Sequence, residues 1–319
     1  MKIKWNKLNI YIRNTVVYIS MFFFRLKKWV ELYRWVLSDD RTQLIDKLNW
    51  SVLSANPKAI HMLLKNKDKI DLQAFSRNPN VIDFLELPEN IHLIDWDELC
   101  RNTHPKAIEL IQQNIARANW TCLSSNPLAL DLLEQNKQRI NWSQLSINTN
   151  PRAMKLLESN LEQVSWYNLS KNPAAIYLLE QNQDKIFWQQ IAKNTNPLAI
   201  KLIKENLDKV GWYWLSSNPE AIDLLEENTE KINWDQLSNN PCERAMKLIE
   251  LNLEKANWGY LSSNPCAVYL LEQHKDKINW YWISGNPNIF EYDYDLLNQY
   301  RVKYLNHGCY TTTNTSYRI

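Results

Sequence analysis

The chain has 319 residues, a formal net charge of +2, 45% hydrophobic residues, five cysteines and only four glycines. No two of the glycines lie within twenty residues of each other, which excludes the closely spaced Gly-rich loops that cradle nucleotide phosphates. The odd number of cysteines, with no C-x-x-C pair, fits buried, reduced thiols inside a cell and not a disulfide framework.

In chain order, residues 1–28 form a basic and apolar head. The first 34 positions hold eight basic residues and one acid, a local charge of +7, so the remainder of the chain sums to −5. The run Thr15–Phe24 is apolar for ten residues between Arg13 and Arg25. A membrane span needs about 20. Phe22, Phe23 and Phe24 with Arg13, Arg25, Lys27 and Lys28 are therefore candidates for docking on an anionic membrane surface or into a partner, and a capping helix is the plainer reading. Residues 29–49, with Leu37-Ser38-Asp39-Asp40, read as a degenerate capping repeat.

A regular array follows. Trp recurs at Trp50, Trp96, Trp120, Trp142, Trp166, Trp188, Trp212, Trp234, Trp258 and Trp280, and Leu72 fills the missing slot. The steps are 22 or 24 residues and alternate from Trp96 onward, a double repeat of 46. Such a period signals a solenoid. The expectation is an all-α solenoid of short helix pairs: ten repeats over 50–279, a Tyr-rich closing cap over 280–305 and a polar tail over 306–319. An open array of this kind forms a rod or gentle superhelix.

Each repeat predicts two helices. Asn119, Asn141, Ser165 or Gly211 precedes the Trp as N-cap, and Trp and Leu at i and i+3 share a face. Asn-Pro then separates the helices, with Pro at the first position of the second. That helix carries Ala221, Ile222, Leu224 and Leu225 and ends near Asn228, read as a left-handed C-cap. The Ser after each Leu reads as a local backbone hydrogen-bonder. Helices this short need tertiary support. The ten ladder Trp are accordingly read as structural core, each buried, and a Trp→Ala change at about 3–5 kcal/mol.

The word W-x-x-L-S-x-N-P-x-A-I-x-L-L-E-x-N-x-x-K-I-x-W, complete at Trp166-Leu169-Ser170-Asn172-Pro173 and Trp212-Leu215-Ser216-Asn218-Pro219, resembles the tandem Trp-Leu-Ser-Asn-Pro repeats of giant DNA viruses. Trp96-Leu99-Cys100 and Trp188-Ile191-Ala192 depart from it. The resemblance covers about 230 residues and implies a helical repeat fold, a viral origin and no catalytic residues.

No catalytic or metal constellation is present, and no cofactor or small-molecule substrate is expected: the five histidines lack ligand spacing and no H-E-x-x-H occurs. Two partner surfaces are expected instead. Lys155, Lys201 and Lys247, with Glu109, fall at one non-core position of the long repeats; His61, Asp131, Tyr177, Asp223 and Tyr269 fall at one of the short repeats. Tyr213, Trp214, Tyr260, Tyr281 and Trp282 supply aromatics beyond the ladder. These readings point to a non-enzymatic scaffold making protein–protein contacts. It would be a minor capsid or virion scaffold protein, or else an ankyrin-like adaptor for host proteins or a scaffold tethered to a membrane surface. Its place would be the virion or the host cytoplasm, and its partners proteins and not nucleic acid.

Overall fold

The computed structural model describes residues 33–35 and 46–292. The chain divides into two compact bodies, Asp40–Ile289 and Met1–Asp39 with Phe290–Ile319. In the second body Tyr33–Trp35 (β1) pairs antiparallel with Phe290–Tyr292 (β2), Arg34 opposite Glu291. Residues 33–35 are thus a strand and not part of a helical capping repeat, in keeping with the strand preference of Tyr and Trp. Arg13, Phe22, Phe23, Phe24, Arg25, Lys27, Lys28 and the tail 306–319 lie outside the described residues.

The body Asp40–Ile289 is an all-α solenoid of short helix pairs. Its first helices begin at the ladder positions, from Trp50–Ser54 through Leu72–Arg77 to Trp280–Ile283. The caps form as the sequence requires. The Asn119 side chain accepts from Cys122 N, Asn141 from Gln144 N and Ser165 from Asn168 N. Pro opens the second segment, as a helix at Pro151–Glu158 and as a single 3₁₀ turn at Pro173–Ala175 before Ile176–Gln181. The second helix does not end in a left-handed residue. Asn228 has φ −136° and its Nδ2 donates to Leu224 O at 3.0 Å, so the side chain satisfies an end carbonyl that a left-handed turn would otherwise serve. A third piece then follows, a 3₁₀ turn such as Thr229–Lys231.

Consecutive repeats are joined through two hydrogen-bond ladders. In each repeat the Asn of Asn-Pro, or its counterpart in the longer repeats, is buried. Its Nδ2 donates to two backbone carbonyls of the preceding repeat: Asn172 to Ser146 O and Asn148 O, Asn194 to Ser170 O and Asn172 O. Its Oδ1 accepts the backbone N–H two residues on, as from Ala174 and Asn196. The second ladder runs through Ser. Ser170 Oγ donates to Trp166 O and accepts from Phe187 N of the next repeat. The Ser is therefore a relay between repeats as well as a local bonder. Cys100 Sγ takes over this role toward Asn119 N at 3.3 Å, and burial pushes its thiol up to about 11. Ala192 offers no hydroxyl to Gly211. Ala192→Ser should restore the relay and raise stability by about 0.5–1 kcal/mol, read as a higher melting temperature; an unchanged or lower one would show that the relay carries no stability.

Both ladders continue from the last repeat into the first. Asn56 Nδ2 donates to Ser284 O and Asn286 O, each at 3.1 Å, and Asn49 N donates to Ser284 Oγ at 2.9 Å. Asn286 in turn donates to Ser262 O and Asn264 O. The body is a closed circuit of eleven repeats, and no rod. Two expectations change with it. Trp280–Ile283 starts an eleventh repeat and does not open a cap, so the repeats run past 279. The seam also has the same side-chain stacking as every other junction: Lys47 lies over the Trp280 ring, as Lys231 lies over Trp212.

The ladder Trp are half-buried and not the fully buried core expected of them. Trp50, Trp96, Trp120, Trp166, Trp188, Trp212, Trp234 and Trp280 each carry a Lys or Arg over the ring, 4.6–5.8 Å from its centroid. The turn ahead of the next Trp presents that cation, a 3₁₀ turn in most repeats and a plain turn at Lys209 and Lys47, and the ring keeps one face toward it. Trp258 meets His274 instead. The innermost residues are the Leu or Ile three positions later (Leu145, Leu169, Ile191, Leu215), all fully buried, with Ala and Leu of the second helix such as Ala175 and Leu179.

Candidate protein-interaction surface

Neighbouring first helices approach one another more closely than neighbouring second helices do, as the inner layer of a closed circuit must. The first helices bury the Leu and Ser at three and four residues past the Trp and expose the residue next to it. That exposed position is polar through the first five repeats: Ser51, Gln73, Asp97, Thr121 and Ser143. It becomes aromatic at Tyr167, Tyr213 and Tyr281, which are 50%, 46% and 51% exposed.

Around these three the inner layer builds aromatic pairs. Tyr167 meets Phe187 edge-on at 5.6 Å, and Gln190 Nε2 donates to the Tyr167 hydroxyl at 3.0 Å. Tyr213 meets Trp214 edge-on at 4.8 Å, and Gln236 Nε2 donates to the Tyr213 hydroxyl at 2.9 Å. Lys193 Nζ sits 3.4 Å from the Trp214 ring centroid. Partial burial, and then the charge of Lys171, hold the Lys193 ammonium below the ordinary lysine value. Tyr281 meets Trp282 edge-on at 5.1 Å. The amide bonds hold the Tyr167 and Tyr213 phenols from the next repeat, so these two rings are fixed in place and still exposed.

No family model, no curated protein and no solved structure matches this chain.

Of the aromatics read from the sequence, Tyr213, Tyr281 and Trp282 are exposed on the inner layer; Trp214 and Tyr260 are half-buried. Tyr167, Phe187, Gln190, Lys171 and Lys193 were not singled out. Tyr167 could have been, because it stands next to its Trp as Tyr213 and Tyr281 do. Phe187 occupies an N-cap position, where an aromatic is out of place.

Lys155, Lys201 and Lys247 are exposed on the second helices, a different layer from the aromatics. The structure does not bring the two sets together. The variable position of the short repeats is largely explained by contacts between repeats. Arg152 bridges Asp131 and Glu134, and Arg244 bridges Asp223 and Glu226. Lys106 does the same with Asp83 and Glu86. These pairs are solvent-exposed and add little stability. His61 is buried, against the non-core reading of its position.

A half-open groove of about 260 Å³ runs between the second helices Pro105–Gln113 and Leu130–Gln135, lined by Ile108, Glu109, Leu128 and Asp131. Among the described residues no three His, Cys, Asp or Glu side chains are grouped to hold a metal ion, and no helix is long and apolar enough to cross a membrane.

Proposed function

We propose that the protein is a non-enzymatic scaffold whose closed repeat body presents a fixed protein-binding surface. The observation that carries this is the set of exposed aromatics on the inner layer, Tyr167, Phe187, Tyr213, Tyr281 and Trp282, with the three tyrosines at a position that is polar through the first five repeats. Exposed tyrosines held in place by neighbouring amides, as Tyr167 and Tyr213 are, lose little freedom on binding, which suits them as anchors. The likeness of the repeat word to tandem repeats of giant DNA viruses supports a place in the virion, as a minor capsid or scaffold protein.

Mass spectrometry of purified particles, after cross-linking, tests this reading. The scaffold reading expects the chain in stoichiometric amounts, cross-linked through the Tyr167–Trp282 arc to another particle protein. Absence from particles together with a host partner on that same arc would favour the adaptor reading and end the virion one. The charge of +7 over residues 1–34 also supports attraction of that segment to an anionic membrane. Co-sedimentation with phosphatidylserine vesicles that survives deletion of residues 1–28 would exclude that role for the segment.

A further inference from the structure

Cations on the inner layer are treated unequally. Five residues past the ladder position, Arg77 and Arg101 both face Glu98, their Nε atoms at 4.0 and 3.7 Å from its carboxylate. Arg101 Nη1 also reaches Cys122 Sγ at 2.6 Å. Glu98 stands two residues past its own Trp. In the repeats that begin at Trp166 and Trp188, Lys171 and Lys193 occupy the cation position, while Asn168 and Gln190 replace the acid. Both amides are already engaged, Asn168 with Ser143 and Gln190 with the Tyr167 hydroxyl. Lys171 and Lys193 are half-buried, and neither has an ion-pair partner among the described residues. The Lys193 ammonium lies over the face of Trp214.

Two like charges in adjacent repeats, partly withdrawn from water and with no counter-charge, leave a place for an anion. The exposed edges of Tyr167, Phe187 and Tyr213 lie beside it. A nucleic acid backbone fits less well, because it needs a track of cations. In the four repeats that follow, the cation position holds Ser217, Asn239, Ser263 and Gly285, and Asp235 adds an acid on the same layer.

We propose that Lys171 and Lys193, with Trp214 and the neighbouring tyrosines, form a docking site for an acidic segment of a partner protein. An Asp or Glu carboxylate would lie between the two ammonium groups, with adjacent apolar side chains against Tyr167, Phe187 and Tyr213. This rests on the scaffold reading and names the chemistry of its partner.

The test is selection of random displayed peptides on the intact protein, followed by binding of the enriched peptides to Lys171→Gln, Lys193→Gln and the double variant. The expected peptides carry Asp or Glu next to apolar residues and bind more weakly as salt rises. Each single change should weaken them about tenfold and the double change further. The double variant should still unfold cooperatively within a few degrees of the parent, since it loses the Lys193–Trp214 contact and a like-charge pair together, which separates lost binding from lost folding. Enriched peptides without acids, or acidic ones that bind the double variant equally well, overturn the site and leave the scaffold reading standing. Tighter binding of oligothymidylate than of any peptide overturns both, and so does a selection that enriches nothing while particles yield no cross-link.

Discussion

Asn56→Leu should destabilise the protein as much as Asn148→Leu, on the order of 4 kcal/mol each. The two asparagines are equally buried, at 1% and 0% exposure. Each amide supplies two hydrogen bonds to carbonyls of the preceding repeat and accepts one backbone N–H, from Lys58 and from Asn150 respectively. Leucine has similar bulk and none of these bonds. Each orphaned buried group costs roughly 1–3 kcal/mol, so three of them outweigh any gain from the added apolar surface. The comparison bears on closure, since in an open array Asn56 would stand in the first repeat with no carbonyls ahead of it, and its loss would cost about as much as one local hydrogen bond. Urea unfolding followed by circular dichroism gives both values. A cost for Asn56→Leu of less than about a third of that for Asn148→Leu would show that the seam is not closed in solution.

The parts of this fold that depend on neighbouring residues were legible in the sequence. The N-caps at Asn119, Asn141 and Ser165, the break at Asn-Pro and the Trp-Leu face each follow from spacings of one to four residues. Closure was not legible. It depends on the small turn between successive repeats, which accumulates over the whole array and leaves no mark in any single word. With hindsight Lys47 is a mark, because it stands three residues before Trp50 as Lys231 stands three before Trp234, and so belongs to a repeat that precedes the first. The Trp were misjudged for a related reason. Size and apolarity argue for a buried ring; the Lys of K-I-x-W recurs in the word, but its spacing does not say that it lies over the Trp that opens the same repeat. On the interaction surface, Tyr213, Tyr281 and Trp282 stood out as aromatics in excess of the pattern. Lys171 and Lys193 did not, because a charge is seen to lack a counter-charge only once the side chains around it are known, Asn168 and Gln190 in the same repeats and Trp214 across the next junction.

Removing one double repeat should have the larger effect. Deletion of residues 166–211 joins Ser165 to Trp212 and leaves every remaining junction with its natural order of short and long repeats. Eleven repeats that close turn by about 33° each, so nine at the same turn leave a gap of about 65°. The seam bonds from Asn56 and Asn49 to Ser284 and Asn286 then have no partner, and both end faces are open to solvent. The shortened chain should melt well below the parent and associate through its free ends, seen as a mass above that of a monomer by light scattering. A monomer whose stability falls only in proportion to its length would mean that the repeats behave as a linear array and that closure adds nothing. Filling the gap with a second copy of residues 120–165, also 46 residues long, should bring back the monomer and its melting temperature, since the number of repeats is again eleven. That chain lacks Lys171, Lys193, Tyr167 and Phe187, so it should close like the parent and no longer select acidic peptides; recovery of the fold and of peptide binding together would place the docking site elsewhere on the ring.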